Sequence, residues 1–353
     1  MKELYDANPC KKRAERLCRK TDIGLLNSAN YLIDKMEHSF IDNTTALARK
    51  VDEARAYLTE REENRLSGVF YSAYSILEDA AKSGSLSKIR DALDSFDDLT
   101  VKHDSLRIAS LGDGFFSEKD ENILVDFIRN EQDPDGKHLR VATKCTQSSS
   151  EYSKLELNKA IEAIKSLNKN LYEETLCHIT DILIVNSNRI NAASSFKSFG
   201  VVFLRELEPE QNWTTYLEHL VHESAHHLVF SIWHSIRLID QDKGRLLSSP
   251  LRPDPRPISA VYHAAAVLSR IIFVLGLAYD SDKYTSIKRT ARYNFSNTSS
   301  LLEQFCDAYN VIKENAVLTG IGERLLENFK ILAVSYNRES TLFVGREVSL
   351  NHE

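Results

Sequence analysis

The sequence predicts a mainly α protein with a small β-sheet, an α+β arrangement in which a histidine-rich helix lies beside a short antiparallel sheet. Three observations predict it. Only 12 glycines and 7 prolines punctuate 353 residues, a scarcity that favours long helices over turn-rich strands. Apolar residues recur at three- and four-residue spacing through most of the chain. That period breaks in two short β-rich runs, HITDILIVNS and FGVVFLRE, which read as strands.

Taken in order, the basic run KKRAERLCRK (11–20) is the solvated face of a first helix. From 23 to 99 the segments IGLLNSANYLIDKMEHSF and LSGVFYSAYSILEDAAKS keep helical spacing. Ser83-Gly84-Ser85 and the neighbourhood of Ser105 break them. A further helix covers 118–129, and the polar stretch EQDPDGKHLRVATKCTQSSSEYS (131–153) reads as an exposed loop. That loop divides a helical N-terminal region, 1–150, from a region 151–353 that carries the chemistry, a division compatible with one continuous domain. SKLELNKAIEAIKSLNKNLYEET is an amphipathic helix. The strands 178–187 and 199–206 then flank NRINAASSFKS and read as an antiparallel pair. The histidine helix runs from Trp213 to about Leu238, and the loop SSPLRPDPRP (248–257) leads into the apolar helix ISAVYHAAAVLSRIIFVLGLAY. Helices continue to about Tyr336, TLFVGREVSL (341–350) reads as a last strand, and no internal repeat is present.

Lys and Arg number 45 and Asp and Glu 51, so the formal charge is −6 and the pI near 6.0. That balance gives no basic footprint for nucleic acid. The five cysteines, Cys10, Cys18, Cys145, Cys177 and Cys306, show no C-x-x-C spacing, the usage expected of reduced thiols in a cytoplasm. The N-terminus lacks an apolar signal core, and no segment is read as long enough to span a bilayer.

The stretch EHLVHESAHHLVF (218–230) places four histidines within nine positions. Inside it, His222-Glu223-Ser224-Ala225-His226 is an H-E-x-x-H. Helical residues four apart lie one above the other, so His222 and His226 point the same way and suit one divalent cation. Leu217, Val221, Ala225, Leu228 and Ile232 form an adjacent stripe expected to face the core. Glu223 sits about a quarter turn away, and His227 turns further, towards a role supporting the ligands or a structural one. A third ligand is needed. No glutamate occurs between Glu223 and Glu303, which removes the usual acidic ligand of zinc peptidases. His234 lies two turns beyond His226, too far along the axis. His263, on the next apolar helix, is the remaining candidate, set against an ordinary structural histidine. Arg252 and Arg256 in RPDPRP, and Arg270 seven residues after His263, are forks suited to a carboxylate ligand; the alternative is packing and pairing with Asp254.

The runs EHLVHESAHHLVF and SPLRPDPRPISAVYHAAAVLSR resemble the HExxH proteins found in gene clusters for ribosomally made, post-translationally modified peptides. The resemblance is strongest over 194–270. That family resembles iron(II)- and 2-oxoglutarate-dependent peptide β-hydroxylases. It implies an oxygenase using Fe(II), 2-oxoglutarate and O2 to hydroxylate a side-chain β-carbon of a precursor peptide. Carried over, His222, His226 and His263 hold the iron, and Arg252, Arg256 or Arg270 holds the distal carboxylate of 2-oxoglutarate. Three histidines depart from the usual two-histidine, one-carboxylate triad. Glu223, adjacent to a ligand on the same helix, is placed beside the coordination sphere as the catalytic carboxylate. FGVVFLRE is either an edge strand that adds the substrate peptide or an internal strand. Two other classes compete: a zinc peptidase with Glu223 as general base, and a non-catalytic helical peptide-binding protein. The N-terminal region covers the site, binds a leader or forms a homodimer face.

Overall fold

Helical periodicity carries through to the structure, a computed structural model describing residues 7–38, 44–103, 105–130, 142–241, 245–281 and 300–337. Eleven helices occupy 66% of the described residues, with a few small sheets. The mainly α expectation with a small β component holds. The chain divides into two units. One comprises Cys10–Ile161 and Asn170–Ser235, and is called the sheet unit below. The other comprises Met1–Pro9, Glu162–Lys169 and Ile236–Glu353, the C-terminal unit.

In the sheet unit, α1 (Lys11–His38), α2 (Thr45–Glu60), α3 (Gly68–Ser83), α4 (Leu86–Asp94) and α5 (Glu118–Asn130) precede most of α6 (Gln147–Leu167) and α7 (Lys169–His178), residues 162–169 being assigned to the other unit. A two-residue pair, β1 (Arg65–Leu66) with β2 (Lys102–His103), is antiparallel. The principal sheet has four strands in the order β3 (Arg107–Ser110), β4 (Asp181–Val185), β6 (Val201–Arg205) and β5 (Ala192–Ala193). The histidine helix is α8, Trp213–Ser235.

Here the antiparallel expectation is corrected. β4 pairs with β6 in parallel, Asp181 opposite Val201 and Val185 opposite Arg205, and β3 pairs with β4 in parallel too. The reason is legible in burial. All five residues of β4 and the first four of β6 are buried, so both faces are covered, the environment of parallel strands. The connection through 186–200 is too long for a tight hairpin and brings the chain back to the same end of the sheet. Part of it, β5, returns antiparallel along β6, with Ala192 opposite Leu204 and Ala193 opposite Phe203. FGVVFLRE is therefore an internal strand, and the edge is β5. Immediately before β6, Gly200 takes φ +96 and brings its surroundings so close that a Cβ would lie 2.6 Å from Thr180 Oγ1. Its carbonyl accepts from the amides of Thr180 and Asp181 at 2.8 and 3.0 Å.

The other sequence expectation to change is the 131–153 loop. Residues 131–141 lie outside the described residues, but α6 begins at Gln147. Its serines act as polar cross-links: Ser149 Oγ donates to Glu206, and the Leu207 amide donates to Ser153 Oγ at 2.9 Å. Buried charges tie the first helices together. Asp22 on α1 accepts from Arg65 Nε at 2.8 Å and from the Tyr71 hydroxyl at 2.8 Å. Arg13 and Glu174 pair at 2.7 Å with side chains 0% and 1% exposed.

The C-terminal unit is built on α9 (Ile258–Tyr279), packed against α10 (Leu301–Asn315) and α11 (Gly320–Tyr336). Short antiparallel pairs join β7 (Ile239–Gln241) to β10 (Val317–Leu318), and β8 (Leu247–Ser249) to β9 (Arg252–Arg256). By length and composition, α9 is apolar enough to cross a membrane, which corrects the expectation that no segment has that length. In the fold it is the core helix of its unit, with 16 of its 22 residues buried. Glycines let neighbouring backbone approach it and its partner: a Cβ at Gly276 would meet the Tyr336 carbonyl at 2.2 Å, and one at Gly322 the Leu238 carbonyl at 2.0 Å. The Tyr262 hydroxyl donates to the Gly322 carbonyl at 2.8 Å. The expected strand at 341–350 lies outside the described residues.

Candidate metal centre

Helix α8 starts where its neighbours satisfy its first amides. The Trp213 N–H donates to Glu156 Oε2 at 2.8 Å, and Asn212 Oδ1 accepts from the Thr214 N–H at 3.0 Å. A carboxylate and an Asn cap at that end favour the helix electrostatically as well as through hydrogen bonds. One side of α8 is then consumed by the core. Leu217, Val221, Ala225, Leu228 and Ile232, the stripe expected from spacing, are all buried. His227 is fully buried and its Nε2 lies 3.3 Å from the Val201 carbonyl, fixing the helix to β6. Burial, with His178 nearby, pushes His227 well below the ordinary histidine range. It is a structural histidine, as its position on the helix suggested.

The side next to that stripe carries the H-E-x-x-H histidines. His222 and His226 are half-buried, and their Nε2 atoms stand 3.1 Å apart. Metal–nitrogen bonds of about 2.0–2.1 Å put neighbouring ligands about 2.9 Å apart in an octahedral site and about 3.3 Å apart in a tetrahedral one. The observed separation lies between those values, so the two imidazoles fit adjacent positions on one divalent cation. It also suits an N–H···N hydrogen bond between the rings. Phe230, one turn further, stacks on His226 with centroids 6.0 Å apart and planes at 20°. That contact limits the orientations of the His226 ring. Phe230 continues to Phe196, centroids 6.1 Å apart, and Phe196 to His234 at 5.6 Å. An aromatic row thus runs from the histidine pair to Phe196, which is 40% exposed.

Glu223 is only 3% exposed, and its carboxylate accepts a hydrogen bond from the Ser194 hydroxyl. Spacing alone had placed Glu223 beside the pair; the contact with Ser194, 29 residues earlier, had no signal in the sequence. Nor did the aromatic row, because Phe196 sits in a short 3-10 turn, Phe196–Ser198, within a polar stretch. His219, one turn before His222, is pushed down to about 4 by burial, with the Arg205 charge adding to it.

The remaining sequence candidates belong to the C-terminal unit. His263 is half-buried on α9, and Arg270, 2% exposed, lies seven residues later. Seven residues are two turns, so the two share a helix face about 10 Å apart along the axis. Arg256 is buried at the end of β9 and pairs with Asp254 at 2.7 Å. That pairing is the packing alternative to carboxylate binding, and the segment expected as a loop is strand β9, paired with β8. Arg252 begins β9. Among the described residues, no group of three or more His, Cys, Asp or Glu side chains is gathered to hold a metal ion. The geometry thus supplies two converging donors, His222 and His226. The chain matches no protein-family model and no curated protein.

Proposed function

We propose that this chain is an iron(II)- and 2-oxoglutarate-dependent oxygenase that hydroxylates a side-chain β-carbon of a ribosomally made peptide. The observation that carries the reading is the 3.1 Å approach of the His222 and His226 Nε2 atoms on the half-buried side of a helix whose apolar stripe is locked into the core. What supports His263 as the third ligand, and Arg252, Arg256 or Arg270 as the 2-oxoglutarate anchor, is the family resemblance over 194–270. Of the three arginines, Arg256 already pairs with Asp254 at 2.7 Å.

In this reading His222 and His226 would hold the cation as neutral imidazoles, the form in which histidine ligates a metal. When bound, iron(II) with 2-oxoglutarate and dioxygen would supply the exchange of a C–H bond for C–OH, with release of succinate and carbon dioxide. Phe230, stacked on His226, keeps that ring aimed, as outer partners of metal ligands do. Glu223 stays beside the pair, held by Ser194.

The test is anaerobic addition of iron(II) and then 2-oxoglutarate to the full chain. A weak visible charge-transfer band that needs both additions, and is lost in His222→Ala, is the expected result. No band with the intact protein overturns the reading.

A second reading has its own observation. Glu223 is linked through Ser194 to the edge of the sheet, where a peptide bond would be carried past the histidines in a zinc peptidase. Glu223→Gln separates the two: it abolishes peptide cleavage by a zinc-loaded peptidase, and leaves the iron and 2-oxoglutarate band in place for the oxygenase.

A further inference from the structure

The outermost strand beside α8 is β5, and its hydrogen bonding is half used. The Arg205 N–H donates to the Asn191 carbonyl at 3.0 Å, and Ala192 and Ala193 stand opposite Leu204 and Phe203. In an antiparallel pair, residues bonded to the partner alternate with residues whose N–H and C=O point the other way. Asn191 and Ala193 therefore face β6, and the backbone groups of Ala192 face away from the sheet. Ser194 continues the same parity, and Ser195 remains extended at φ −142 and ψ 150. Residues 192 to 195 are half-buried.

The side chains give this edge a direction. Successive side chains of a strand alternate between faces. Ser194 reaches Glu223 on α8, so Ala192 and Ser194 share the face towards the histidine helix. A strand added outside β5 presents every second side chain to that same face, about 4.8 Å further out. Two residues beyond Ser194 stands Phe196, 40% exposed and the outer end of the row that passes through Phe230 to His226.

We infer that β5 is the docking edge for an extended peptide, whose main chain pairs with Ala192 and Ser194 and whose flanking apolar side chain lies on Phe196 and Phe230. This rests on the oxygenase reading for the identity of the reaction, but not for the binding itself. The occupant is set by chemistry: alternating main-chain donors and acceptors match an extended backbone, and the aromatic ledge favours an apolar or aromatic residue two or four positions from the one carried past the histidines. A peptide lacking such a residue keeps the main-chain pairing and loses the anchor.

The experiment uses the full chain and a displayed library of random dodecapeptides, selected in EDTA and again with iron(II) and 2-oxoglutarate under nitrogen. The tightest sequence is synthesised, and each of its amides is methylated in turn. The expected result is a two-residue period: alternate methylations weaken binding tenfold or more, and the intervening ones change it less than twofold. Ala192→Pro removes an N–H that faces away from β6, a position where an edge strand accepts proline, and is expected to weaken binding tenfold or more. Phe196→Ala does the same for peptides with an apolar anchor and not for those without one. The methylation series is read on the unaltered protein, so it stands even if a variant folds poorly. Absence of any enriched sequence, or methylation effects without a two-residue period, overturns the docking edge. The charge-transfer band is scored separately: a band without periodicity sinks the docking edge alone, and periodicity without a band sinks the oxygenase reading alone.

Discussion

Asp181 is the carboxylate on which the sheet unit's strands converge, and replacing it by asparagine tests whether that convergence is energetic. Its side chain is 0% exposed. It accepts from the Gly68 N–H at 2.7 Å, from the Thr180 hydroxyl at 2.9 Å and from Arg107 Nε. These donors come from the start of α3, the start of β4 and β3. Asparagine keeps the shape but offers one acceptor oxygen, so an NH2 must face at least one of the donors. Losing a buried charge-assisted hydrogen bond costs about 1.5–3 kcal/mol, and breaking a buried ion pair from one side about 3–5 kcal/mol. Arg107 keeps a second carboxylate, Asp120, at 3.6 Å and is 17% exposed, which places the expected loss at the lower end, about 3 kcal/mol. The control is Asp97→Ala. Its pair with Arg49 at 3.1 Å has side chains 59% and 60% exposed, and such pairs contribute less than about 1 kcal/mol. Urea unfolding followed by far-UV circular dichroism measures both. A loss for Asp181→Asn no larger than for Asp97→Ala would mean that water serves these donors equally well, and the argument from burial fails.

Gly322→Ala places a Cβ 2.0 Å from the Leu238 carbonyl oxygen and 2.9 Å from its carbon; backbone cannot swing aside, and the expected loss is about 2–3 kcal/mol by thermal unfolding. A melting temperature within a degree of the parent would show that α11 can back away without cost. Acid should weaken the fold through His219 and His227, whose folded pKa values are depressed, to about 4 for His219. With the unfolded value near 6.5, the unfolded chain binds protons first, so stability is full above that pH and falls as pH drops towards 4. His219→Gln is expected to remove about 2 kcal/mol of that loss between pH 7.5 and 4.5, discounted for partial exposure of the ring; an unchanged pH dependence refutes it.

Long periodic elements were legible and short ones were not. ISAVYHAAAVLSRIIFVLGLAY is α9 residue for residue, Ile258–Tyr279, and the buried stripe of α8 follows its three- and four-residue spacing. The strand positions DILIV and VVFLR were legible too, yet their pairing was not. An unbroken apolar run says that both faces are covered, and the parallel arrangement follows from that, while nearness in sequence suggests a hairpin. Strands of two residues, such as β5, carry no periodic signal at all. The polar run before Ser153 hid the first turn and a half of α6, because its serines are used for hydrogen bonds to 206 and 207 rather than for apolar packing. At the site, the i and i+4 histidines were visible because helix geometry alone brings them together. Ser194 and Phe196 were not, because only the crossover after β4 brings them beside α8.

The same crossover explains why the histidine pair is suited to hold a ligand. A pair of i, i+4 histidines on an ordinary surface helix loses side-chain entropy when it grips a cation, and its helix can fray. On α8 the cost is reduced twice. The core stripe and the His227 contact to Val201 hold the helix, and the stack of Phe230 on His226 restricts the ring before any ligand arrives. Glu223, between them in sequence, accepts a buried hydrogen bond from Ser194 in the edge segment. The site thus brings two imidazole nitrogens together and holds its carboxylate against the segment that follows the edge strand. In the proposed oxygenase, two such nitrogen donors would leave room on the cation for co-substrates, whereas a closed structural zinc site needs four protein ligands.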